Sequence, residues 1–60
     1  MNPTPKEIKA ARVAAGLSQS KASELLHVTL NGWQKWEYGD RKMPQAMFEH
    51  FHCLIDRLEK

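Results

Sequence analysis

Several groups of side chains in this sequence have types and spacings suited to chemistry. His50, His52 and Cys53 offer the nitrogen and sulfur donors that zinc takes. His50 and Cys53, three positions apart, share a helical face; His52 points elsewhere, and two ligands do not complete a tetrahedral site, so no metal is expected. Trp33 and Trp36 offer π faces on which unpaired bases stack. Their spacing, with Val28 before them, fits the inner side of a helix better, and they are expected in the core. Asn31, Gln34 and Lys35 carry different chemistry. Their amides could bond the edge of adenine, an ammonium suits O6 and N7 of guanine, and the neighbouring Leu30 could pack on a thymine methyl; by themselves, these side chains read equally as ordinary exposed residues of a helix.

No catalytic constellation accompanies them. The sequence contains no nucleophile elbow and no glycine-rich phosphate loop, and a helical unit of 60 residues leaves little room for a ligand pocket of ordinary size. Neither an enzyme nor a cofactor is expected. Cys53 is the single cysteine. It cannot form an internal disulfide and is expected to be a buried or half-buried thiol in a reducing compartment. No apolar run approaches the ~20 residues that span a bilayer, and no basic-then-apolar leader is present, which predicts a soluble, cytoplasmic protein with no membrane partner. A formal net charge of +2 permits nucleic-acid binding without requiring it.

The elements that must position these groups are helices. Thr4 is a hydroxyl N-cap, Pro5 fits the first helical position, and Glu7 completes a capping box. Ile8, Ala11, Arg12 and Ala15 follow on one face and Gly16 ends the run, predicting a helix over 5–15. Ser18 caps a second over 19–26, with Ala22, Leu25 and Leu26 as its apolar stripe. Thr29 opens a third over 29–38. Asn31-Gly32 is also a hairpin signal, but the flanks do not alternate, and the helical phase of Val28, Trp33 and Trp36 prevails. Tyr38 to Met43 reads as a polar loop. From Gln45 the residues Met47, Phe48, Phe51, Leu54, Ile55 and Leu58 recur every three or four places, predicting an amphipathic helix over 45–59. The expectation is an all-α, compact four-helix domain over 1–60, in which the second and third helices are joined by a turn of about three residues.

At this point the sequence resembles a known family. Gly16-Leu17-Ser18-Gln19, Ala22-Ser23, Leu26, Val28-Thr29, Trp33, Trp36-Glu37 and Gly39 are similar, in register, to the phage repressor and Cro (lambda-repressor-like) helix-turn-helix regulators. The resemblance implies double-stranded DNA as partner and a major-groove recognition helix over 29–38. It assigns Leu30, Asn31, Gln34 and Lys35 to bases, Thr29, on the groove-facing side, to a phosphate, and Gln19, with its helix N-terminus, to another. Lys21, Arg41 and Lys42, opposed by Glu24 and Asp40, are the cations near the groove expected to contact phosphates, and the Tyr38 hydroxyl is placed to reach one. Arg12 and Glu37 are similar to a pair that in this family forms a buried ion pair; an Arg on an apolar face requires such a partner. The family usually has glycine where this chain has His27, so His27 is expected at positive φ.

A single recognition helix discriminates too little among genomic sites, so a homodimer on a palindromic operator is expected. Leu54, Ile55 and Leu58 are the apolar residues expected to remain uncovered and to form its interface. The alternative is a protein-interaction module on the same fold, such as an antitoxin that binds a toxin through the fourth helix.

Overall fold

A computed structural model describes residues 2–58. Those residues form helices and loops, with no strand among them. The first helix, α1 (Pro5–Ala14), begins as its cap residues dictate: Thr4 is extended, its hydroxyl accepts from the Glu7 N–H, and the Glu7 carboxylate accepts from the Thr4 N–H. Both are backbone donors that the helix start would otherwise leave unpaired. Ala15 is the C-cap, one residue short of the expected end, and Gly16 turns the chain at φ +71°. In α2 (Gln19–Leu25) the Ser18 hydroxyl accepts from the Lys21 N–H, and Leu26 is the C-cap.

Thr29 caps α3 (Leu30–Tyr38) by accepting from the Gly32 N–H at 3.0 Å, which places Asn31-Gly32 in the first helical turn. The helix stops at Gly39, whose φ of +87° costs a glycine little. The turn between α2 and α3 holds His27 at φ +57°, as the resemblance implies. α4 (Gln45–Leu58) is the last helix among the described residues; position 59, the expected end of this helix, lies outside them.

The core gathers around Trp33, which is fully buried. Its ring lies 5.0 Å from that of Phe51 on α4 and 6.0 Å from that of Trp36, edge-on to the latter. Ile8, Ala22, Leu26, Met43 and Ile55 complete the buried set. The two tryptophans are therefore core residues and not a stacking platform. α3 packs against both α1 and α2 and meets α4 through the Trp33–Phe51 ring contact.

Three expectations need correction. Met43 is not part of a polar loop surface: its side chain is fully buried, and its carbonyl accepts from the Asn2 amide at 2.7 Å. Cys53 is exposed, because Phe51 and Ile55 set the inner face of α4 and a residue two positions from either points the other way. Ile55 is not left uncovered; the same phase carries it into the core, where it is 8% exposed. Leu54 is half-buried against the core, and only Leu58 of that trio is exposed.

Candidate nucleic-acid interface

The helical phase of α3 sorts its residues into two sides. Trp33, Trp36 and Glu37 point inward and are buried. Leu30, Asn31, Gln34, Lys35 and Tyr38 follow one another along the other side at helical spacing. Leu30, Asn31 and Tyr38 are exposed, whereas Gln34 and Lys35 are half-buried. Thr29 is exposed at the head of this stripe. Its oxygen is engaged as the cap, which leaves its hydroxyl proton available to an outside acceptor.

What holds α3 at this attitude is a buried charge cluster. Arg12 Nε and Nη2 donate to the two carboxylate oxygens of Glu37 at 3.0 and 2.9 Å, the two-point geometry that suits a guanidinium. Arg12 Nη1 donates to the Leu17 carbonyl at 2.9 Å, and the Trp33 indole N–H donates to Glu37 Oε2. The side chains are 13% and 2% exposed, so the pair joins α1, the chain after it and α3 almost out of water. Burial alone would raise the Glu37 pKa. The hydrogen bonds from Arg12 and Trp33, the positive charge of Arg12 and the Gln19 amide outweigh it, and the carboxyl titrates below its ordinary range.

Gln19, the first residue of α2, faces this stripe. Its Oε1 accepts from Gln34 Nε2 at 3.2 Å, and its own Nε2 donates to the Tyr38 hydroxyl at 3.3 Å. Sequence reasoning assigned these three residues separately and missed that they are joined. No signal in the sequence foretells it, since the partners lie on different helices and each is an ordinary polar residue.

Lys21 stands out in solvent beside Glu24 at 3.7 Å, both about 70% exposed, where an ion pair contributes little. Arg41 and Lys42 are exposed after α3 and line a hollow of about 340 Å³ with the N-terminal residues Asn2 to Pro5 and with Trp36. The Arg41 N–H donates back to the Lys35 carbonyl at 3.1 Å, which fixes the start of that loop. His50 and Cys53 are exposed on α4, and His52 packs edge-on against Phe48 at 4.7 Å. The sequence matches no protein-family model, and no curated protein is significantly similar to it.

The stripe therefore presents an aliphatic group, two amides, an ammonium and a phenol along one helix. Beside it stand cations that pair with no buried partner. An ordered set of donors and acceptors at helical rise is what the edges of successive base pairs can meet.

Proposed function

We propose that this chain is a sequence-specific double-stranded DNA-binding protein of the lambda-repressor-like helix-turn-helix type, a transcriptional regulator that reads the major groove with α3. The observation that carries this reading is the division of α3. Its tryptophans and Glu37 are spent on the core, while Leu30, Asn31, Gln34 and Lys35 are turned outward at the positions that the phage repressor and Cro resemblance assigns to bases. The short α2, packed on α3 through a tight turn, supports the same reading. Asn31 and Gln34 suit adenine, Lys35 guanine and Leu30 a thymine methyl. Thr29, Lys21, Arg41 and Lys42 would then lie along the phosphates.

The protein acts as a homodimer on a palindromic operator, since one α3 offers too few base contacts for genomic selectivity. Selection from a random pool of duplexes, followed by gel shifts at several salt concentrations, tests the proposal. An enriched palindrome with half-sites about one helical turn apart is expected, with affinity falling as salt rises. Equal, weak binding to every duplex would refute it.

One observation favours a second reading, a protein partner such as a toxin held through α4. Leu58 is 59% exposed and, with Leu17 and Leu25 and the charged Lys21 and Glu24 at its edge, lines a hollow of about 370 Å³. The same surface serves a second copy of the chain, and sedimentation of the purified protein separates the two.

A further inference from the structure

Gln34, Gln19 and Tyr38 form a hydrogen-bonded run whose donors all point the same way. Gln34 donates to the Gln19 amide oxygen, and the Gln19 amide nitrogen donates to the Tyr38 hydroxyl.

A phenol that accepts from inside the protein keeps its own proton for an acceptor outside it. Donors aligned in series also polarise one another, which makes the terminal O–H a stronger donor than an isolated phenol. Tyr38 is the last residue of α3 and is 64% exposed, so that proton is presented at the surface. An anionic oxygen is the acceptor it suits best. On a DNA-facing surface that oxygen belongs to a backbone phosphate.

We propose that the Tyr38 hydroxyl donates to a DNA phosphate, and that Gln19 and Gln34 are positioning residues that keep its proton turned outward. The inference rests on the DNA-binding reading above and changes one role within it. Gln19, which the resemblance assigns to a phosphate, acts through Tyr38 instead. Gln34 retains its carbonyl oxygen and an N–H for a base.

The test uses a duplex enriched by the protein, remade with single phosphates replaced by neutral methylphosphonates. Binding is measured for the parent, Tyr38→Phe, Gln19→Met, Gln34→Met and the double variant Gln19→Met/Tyr38→Phe, with thermal melts to establish that each is folded. Tyr38 is mostly exposed and its phenyl ring is kept, so Tyr38→Phe is expected to melt as the parent does. One replaced phosphate should weaken the parent by roughly tenfold or more, the range of a hydrogen bond to a charged group. Tyr38→Phe should bind the unmodified duplex more weakly by a similar factor and lose most of its sensitivity to that replacement. Gln19→Met should reproduce part of the lost sensitivity to that replacement and Gln34→Met a smaller part of it, the removal of Gln34's own base contact weakening its binding separately, and the double variant Gln19→Met/Tyr38→Phe should bind no more weakly than Tyr38→Phe alone. A merely structural role for Gln19 would persist in the Tyr38→Phe background, and additive losses would overturn its positioning role. Parent-like affinity of Tyr38→Phe, or an unchanged response to every replaced phosphate, would overturn the proposal while leaving DNA binding intact. Failure to enrich any duplex would remove the DNA-binding reading and this proposal with it.

Discussion

Replacing Glu37 by glutamine keeps the shape of the side chain and removes its charge. In the parent, Oε1 accepts from Arg12 Nη2, and Oε2 accepts from both Arg12 Nε and the Trp33 indole. A glutamine must place its NH2 on one of these sides, donor against donor, and leave Arg12 with no counter-charge. Breaking a buried pair from one side costs about 3–5 kcal/mol. The lower end applies here, since Arg12 is 13% exposed and keeps its bond to the Leu17 carbonyl. At roughly 0.05–0.15 kcal/mol per residue, a 60-residue chain has on the order of 3–9 kcal/mol in total. A loss of about 3 kcal/mol should lower the melting temperature by roughly 12–24 °C. Circular dichroism melts at neutral pH measure this. The pH dependence follows from the same pair. Because the folded-state pKa of Glu37 lies below its ordinary value of 4.5, its contribution is complete above that pH and is lost as pH falls toward the folded value. Parent melts should therefore fall on acidification below about pH 4.5, and Glu37→Gln should show less of that fall. A Glu37→Gln variant that melts within a few degrees of the parent would refute the claim that this cluster holds α3 in place.

Other outcomes follow from the same structure. Asn31→Ala and Lys35→Ala should each weaken binding to an enriched duplex by about 1–3 kcal/mol in gel shifts, with melting temperatures unchanged. Ile55→Ala should destabilise the fold by about 2–5 kcal/mol because it empties a core position. Leu58→Ala should leave the melt nearly unchanged and shift only the monomer–dimer balance seen in sedimentation. His27→Gly should raise the melting temperature by a few degrees, since glycine takes the left-handed turn conformation without the steric penalty that a side chain incurs, partly offset by its freer unfolded state.

The helices were legible in the sequence because their ends are written in local chemistry. Thr4, Ser18 and Thr29 each accept from a backbone N–H three residues on, and Gly39 takes a conformation that few other residues accept. Arg12 was legible for a different reason: a cation in an apolar stripe demands a partner, and the family resemblance pointed to Glu37. Met43 was not, because a lone apolar residue in an aperiodic segment has no phase from which burial can be read. Cys53 and Ile55 were misplaced by arguments that set the phase of α4 aside. The frequency with which cysteines are buried suggested the first, and a guess at how far the short helices reach along α4 suggested the second. The Gln34–Gln19–Tyr38 run depends on the attitude of α2 to α3, which no local pattern encodes.

The bond from the Asn2 amide to the Met43 carbonyl joins positions 41 residues apart and fastens the start of the chain to the segment that carries Arg41 and Lys42. A contact of such long sequence separation closes late, and a single hydrogen bond from an exposed residue such as Asn2 is among the first to open in the native state. When it opens, the stretch between Gly39 and Pro44 loses a tether outside its own sequence while α1 to α3 remain in place. Native-state hydrogen exchange would then show that stretch exchanging faster than the amides of α3 just before it. Arg41, whose N–H is bonded to the Lys35 carbonyl, would keep its place, while Lys42 would lose part of its hold whenever Asn2 undocks.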